Sequence, residues 1–121
     1  MKKAIDVPGA PRGGLYSHAV AAGGLVFLAG QVGRDPETNE LTESFEEQAR
    51  LVFRNLEAVA QAAGGSLTDA VRIGVYLRDM ANFEAMNRIY AELVSQPYPA
   101  RTTIQSDIPF EIEADAVLAI G

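Results

Sequence analysis

The sequence predicts an α+β fold in which one sheet carries two helices on a single face. Three observations lead there. Apolar residues recur at helical spacing in two segments, about 45–63 and about 80–94. Strand-like segments of continuous or alternating apolar residues flank and separate these helices. The resulting order, β-β-α-β-α-β-β, has one apolar stripe per helix, which is enough to cover one side of one sheet.

Residues 8–14, Pro-Gly-Ala-Pro-Arg-Gly-Gly, are rich in turn formers and read as a flexible loop. A strand is expected over Leu15–Ala22, bounded by Gly23-Gly24, and that glycine pair sets up a hairpin into Leu25-Val26-Phe27-Leu28-Ala29. The continuous apolar run predicts a strand buried on both faces, broken by Gly30-Gln31-Val32-Gly33. Residues 34–43 are polar, include Pro36 and Asn39, and read as a surface loop. Ser44 followed by Glu47 matches a capping box. Phe45, Ala49, Val52, Phe53, Leu56, Val59, Ala60 and Ala63 then share one helix face, and Gly64-Gly65 ends the helix.

Val71, Ile73, Val75 and Leu77 alternate with Arg72, Gly74, Tyr76 and Arg78, as in a half-buried strand. Asp79 caps a second helix from Met80 to about Val94, with Phe83, Met86, Tyr90, Leu93 and Val94 as its stripe. Asn87 lies on that stripe. A buried amide needs partners, so Asn87 is either bonded to a neighbouring loop or aimed into a site. Two strands close the chain. In the last, Ile112, Ala114, Ala116, Leu118 and Ile120 face one way, and Glu111, Glu113 and Asp115 face the other. Such a row is a solvated face or a place where an acid meets a basic partner, and a tight 104–110 connection would bring Arg101 beside it. The sheet face without helices is left to solvent or to another subunit. The two-sided apolar run 25–29 favours a homo-oligomer.

With 121 residues, 48% of them hydrophobic and 21% charged, the chain is expected to form one globular domain over 1–121. The net charge of -6 argues against a nucleic-acid partner. The absence of cysteine excludes disulfides and thiolate chemistry, and the single histidine, His18, supplies too few ligands for an ordinary zinc site. No metal site is expected, although carboxylates can hold Mg²⁺ or Ca²⁺. Met1-Lys2-Lys3 lacks a following apolar segment, and the run from Leu25 to Ala29 is too short to span a bilayer, so a cytoplasmic protein without membrane contact is expected. If Ser17 and His18 lie on a strand they face opposite ways and form no nucleophile–base pair, which leaves His18 as a surface or interface residue. Gly30-Gln31-Val32-Gly33 lacks the spacing of a phosphate-binding loop, and its glycines fit close backbone approach at a strand end.

Pro97-Tyr98-Pro99-Ala100-Arg101-Thr102-Thr103 is the stretch with the most chemical content. Two prolines stiffen the loop, and a planar, permanently charged fork stands where loop becomes strand. That suits a residue holding a carboxylate or phosphate bidentately. A surface arginine opening an edge strand is the plainer reading, and these residues alone favour it.

Six segments, taken in order, resemble the Rid family, the reactive intermediate deaminases also called YjgF-type or L-PSP proteins. They are Tyr16-Ser17-His18-Ala19-Val20, Phe27-Leu28-Ala29-Gly30-Gln31, Val75-Tyr76-Leu77-Arg78-Asp79, Phe83 with Asn87 and Tyr90, Pro99-Ala100-Arg101, and Glu111-Ile112-Glu113-Ala114. The resemblance covers about residues 4–120. It implies a chorismate-mutase-like α+β fold and a homotrimer whose sheets form a central barrel with three intersubunit clefts. It implies hydrolysis of enamines and imines such as 2-aminoacrylate to 2-keto acids and ammonia, without cofactor or metal. By position, Arg101 would clamp the substrate carboxylate and Glu111 would activate the attacking water. Thr103 would meet the imine end through its backbone, Gly30 would let the backbone approach the ligand, Tyr16 would line the cleft, and Asn87 would support it. Two positions depart from the family pattern, Ala29 where the archetype has serine and Thr103 where cysteine is frequent. The Arg101-to-Glu111 connection is also shorter than is usual. A non-catalytic binder of small carboxylates and a ribonuclease or translation inhibitor are the competing readings. The acidic balance weighs against the second.

Overall fold

The computed structural model describes residues 1–120. Its elements are β1 (Lys3–Ile5), β2 (Ala19–Ala22), β3 (Leu25–Val32), α1 (Phe45–Ala62), β4 (Ala70–Leu77), α2 (Phe83–Leu93), β5 (Ala100–Gln105) and β6 (Ile112–Ala119). One six-stranded sheet runs β1-β2-β3-β6-β4-β5. The β4–β5 pair is parallel and the others are antiparallel. This is the expected α+β architecture with one further strand, β1, which is too short and polar to announce itself and pairs Lys3 with Ala21 through Ile5 with Ala19.

The capping signal at α1 is realised: the Glu47 backbone N–H donates to Ser44 Oγ at 3.1 Å. Val52, Phe53, Leu56, Val59 and Ala60 of α1 bury the stripe that the spacing required. They pack with Met86, Ile89 and Tyr90 of α2 over Ile73, Val75 and Leu77 of β4 and Ile112, Ala114, Ala116 and Leu118 of β6. Asp79 does accept from Ala81 N–H, but it caps a single tight turn, Met80–Asn82, and the α-helix begins only at Phe83.

Three local expectations are corrected. The segment 15–18 is not strand, and β2 starts at Ala19. The reason is His18, which is buried to 3% exposure rather than lying at the surface. Its Nδ1 accepts from the Val7 backbone N–H at 2.9 Å and its Nε2 lies 3.2 Å from Ala10 O, so the ring fastens the 7–10 loop where a ladder would otherwise run. The run 25–29 is buried on one face only, since Leu25 and Phe27 are 37% and 46% exposed on the side away from the helices. The strand also continues past Gly30: a bulge between Leu28 and Gln31 adds one residue opposite β6, and β3 ends at Val32. The hairpin glycines Gly23 and Gly24 do take the positive φ values, 60° and 80°, that a two-residue turn of this hand needs.

The connection after β5 does not lay it beside β6. β5 is an edge strand paired only with β4, and β4 lies between it and β6. Arg101 therefore does not stand beside the acidic row. The basic partners of that row come from β4 and the residue that follows it: Arg72 lies 3.4 Å from Asp115, and Arg78 lies 2.7 Å from Glu111. No helix among the described residues is long and apolar enough to cross a membrane.

Candidate functional site

The sheet has a helix-covered face and an open face, and the candidate residues divide between them. Arg101 pairs in register with Ile73, and Thr103 with Val75, so both point to the helix side. Glu111 and Glu113 flank the buried Ile112 and point to the open side.

At the β5 edge, Arg101, Asn87, Tyr90, Ala91, Tyr98 and Pro99 enclose a cavity of about 420 Å³. The Pro97–Pro99 loop supplies the outer wall, with a cis peptide between Gln96 and Pro97. The Arg101 guanidinium lies 4.7 Å from the Tyr90 ring centroid and 5.8 Å from that of Phe83, and Nη1 is 3.7 Å from Met86 Sδ. Two rings and a thioether fix the fork without neutralising it. No carboxylate among the described residues lies within ion-pair distance of it, so its bidentate face stays available to an anion. Burial raises the Tyr90 phenol above its ordinary pKa, and the nearby Arg101 charge opposes that rise. Asn87 is half-buried at the cavity wall rather than sealed in the helix stripe. Thr103 lies two residues along the same face, and its Oγ1 is buried without a partner.

On the other side, Tyr16, Gly30, Gln31, Arg12, Arg34 and Glu113 are among the residues lining a second cavity of about 230 Å³. Tyr16 is held by its own loop, with the Gly13 N–H donating to its hydroxyl at 3.0 Å. Gly30 leaves room for Glu113: a Cβ on it would meet the Glu113 carboxyl group, which lies across the bulge and would have to move aside. Arg12 is engaged with Asp6 at 2.9 Å, and Arg34 donates to Asn39 O and lies over the Phe110 ring. Glu113 has no hydrogen-bond or ion-pair partner among the described residues. Burial, with a further push from Asp115, raises its carboxyl above the usual range.

Glu111 lines neither cavity. Its Oε1 accepts from Arg78 Nη2 at 2.7 Å, and its backbone N–H donates to Gln48 Oε1 at 3.0 Å. The six candidate residues thus fall into three places: Arg101, Asn87 and Thr103 at the β5 edge, Tyr16 and Gly30 in the second cavity, and Glu111 on the open face. Glu113, Arg78 and the aromatic wall of Tyr90 and Tyr98 were not singled out from the sequence as site residues. Glu113 was visible only as a member of the acidic row. No cluster of three or more His, Asp or Glu side chains arranged to hold a metal ion occurs among the described residues.

The chain thus combines an arginine without an acidic partner at one sheet edge with a separate cavity on the open face, lined by Arg12, Arg34 and one carboxyl group, Glu113. Residues 9–118 match the family model described as Endoribonuclease L-PSP. A protein of Dermatophagoides farinae named 2-iminobutanoate/2-iminopropanoate deaminase is 34% identical, with 98% of this chain and 97% of that one covered. The crystal structure of RidA from Psychrobacter sp. PAMC 21119 superposes with a TM-score of 0.94 at 42% identity, covering 98% of this chain and 99% of that one. That of E. coli TdcF with bound serine gives 0.89 at 30% identity, covering 98% and 99%. The chain belongs to the Rid, or L-PSP, family.

Proposed function

We propose that this protein is a hydrolytic deaminase of reactive enamine and imine intermediates. It would convert 2-aminoacrylate and small 2-imino acids to 2-keto acids and ammonia without a cofactor, in clefts between the subunits of a homotrimer. The observation that carries this reading is Arg101, a permanently charged fork held on Tyr90 and Phe83 and left without a carboxylate. Binding the substrate carboxylate there fixes the position of the imine carbon, and such positioning supplies much of the rate of a reaction that needs only water and proton transfer. Glu111 activates the water. Asn87 and the Thr103 backbone support the Arg101 side, and Gly30 and Tyr16 form the opposing wall. The names of the relatives, deaminase in one and a serine complex in another, agree with a small amino-acid-derived ligand.

The division of the residues supports the intersubunit cleft. Arg101 and Glu111 point to opposite faces with β4 between their strands, so one small substrate reaches both only if they come from different chains. Leu25, Phe27 and Ile104 are exposed apolar side chains on the open face, which fits its burial against further copies.

A coupled assay supplying 2-aminoacrylate tests the activity. Wild type should accelerate keto-acid release over the uncatalysed rate, and Arg101→Ala should lose at least about 100-fold in kcat/KM. Equal rates for both proteins, no faster than background, would sink the proposal. The 2.7 Å pairing of Glu111 with Arg78 favours one second reading, a non-catalytic carboxylate binder in which that acid is only structural. In that case 2-ketobutyrate binds wild type and Glu111→Gln equally, is lost in Arg101→Ala, and no hydrolysis accompanies it. A ribonuclease role sits poorly with a net charge of -6.

A further inference from the structure

We propose that Glu113 is a second catalytic carboxyl group of the cleft, the one that delivers a proton to the departing amine. This rests on the imine-hydrolase reading above. Three features of the geometry single it out. Glu113 shares a cavity with Tyr16 and Gly30, whereas Glu111 lines none and is held by Arg78. The missing side chain at Gly30 leaves the space that the Glu113 carboxyl occupies, so the β3 bulge is shaped around this acid. Every cation nearby is committed elsewhere: Arg12 to Asp6, Arg34 to Asn39 O, Arg72 to Asp115 and Arg78 to Glu111.

The groups facing Glu113 explain why it can carry a proton. Tyr76 is its register partner on β4, and the Tyr76 hydroxyl is turned to Asp115 at 2.9 Å. Asp115, two residues along β6, adds negative charge. Val32 is its neighbour on β3, and Arg12, Tyr16 and Arg34 close the cavity without bonding it. Burial and like charge both favour the protonated form of Glu113, whereas Glu111 lies apart from that cavity, 2.7 Å from the Arg78 guanidinium. Two carboxyl groups in unlike surroundings divide into acid and base.

Water attacks the iminium carbon, the C–O bond forms, the C=N π pair moves to nitrogen, and Glu111 takes the water's proton. Glu113 then gives its proton to the amine nitrogen. A lone pair on the hydroxyl oxygen forms the C=O bond as the C–N bond breaks, its electron pair leaving on ammonia. The hydroxyl proton returns to the Glu113 carboxylate, and Glu111 sheds its proton to solvent.

The test compares kcat against pH for wild type, Glu113→Gln and Glu113→Asp with 2-aminoacrylate, background hydrolysis subtracted and folding checked by thermal unfolding. Glu113→Gln should lose about 100-fold or more in kcat with little change in KM. The wild-type fall in rate with rising pH should disappear from its residual activity, and Glu113→Asp should recover part of the rate. A Glu113→Gln rate near that of wild type overturns the inference alone. So does a low rate that keeps the same alkaline limb, since that is the mark of a merely structural role. A wild type that accelerates nothing overturns the hydrolase reading as well.

Discussion

Arg101 and Glu113 show how one side chain's surroundings decide its use. A guanidinium stacked on Tyr90 keeps its charge and its fork, because rings fix it without consuming its donors. A carboxyl group half-buried beside Asp115 is pushed the other way, toward holding its proton. The second effect has a consequence for stability. The folded state binds this proton more tightly than the unfolded chain does, so Glu113 contributes nothing unfavourable below the ordinary carboxyl pKa of 4.5. As pH rises from there through the raised folded value, its ionisation costs stability. Glu113→Gln should therefore unfold at a higher temperature than wild type near neutral pH, and the difference should vanish at a pH well below 4.5. A Gln variant less stable than wild type near neutral pH but equal to it at acid pH would contradict the raised pKa, because the folded state would then favour the ionised carboxylate. The pairing of lost activity with gained stability is the pattern expected of a functional residue held against its own preference.

Among the elements, β3 ties sequence to site most tightly. Its bulge inserts one residue between Leu28 and Gln31, and the inserted turn of backbone puts Gly30 against Glu113. Gly30 does not need positive φ, so alanine suits the backbone there, and the added methyl meets only the far end of a flexible carboxyl side chain. Gly30→Ala should fold with an unfolding midpoint close to that of wild type yet lose about 10-fold or more in kcat/KM, because Glu113 must swing away. Adding Glu113→Gln to Gly30→Ala should cost less than it does in the wild type, and full additivity would show that the two positions act independently. The elements were legible where periodicity was strong. The α1 stripe and its Ser44 cap, the alternation in β6 and the Gly23-Gly24 hairpin stand as the residues predict, and in β4 Ile73, Val75 and Leu77 are buried as expected while Val71, beside a register shift between Ala70 and Arg72, is exposed. What escaped was local competition. His18 draws the 7–10 loop onto itself and shortens β2, and Gly30 reads as a break when it is in fact the bulge of a continuing strand.

For the whole molecule, sequence order did not reveal strand order. Reading β5 and β6 as neighbours put Arg101 beside the acids. The parallel β4–β5 pairing instead sends β5 to the edge and leaves Arg72 and Arg78 to face Asp115 and Glu111. Nothing in residues 101–111 marks that crossing, because pairing partners are chosen by the whole sheet and not by the connection. The candidate residues themselves were recognisable from the family's order of motifs. Their distribution over two faces was not, and under the proposed function this distribution makes the site a property of the assembly. If the cleft takes Arg101 from one subunit and Glu111 from its neighbour, two inactive variants must complement each other. The decisive measurement is the deaminase activity of trimers formed by co-expressing Arg101→Ala with Glu111→Gln. Random assembly gives roughly a quarter of the clefts both native residues. Activity well above the sum of the two parent proteins, approaching that fraction of wild type, is the predicted result. Activity no greater than that sum would contradict the shared site.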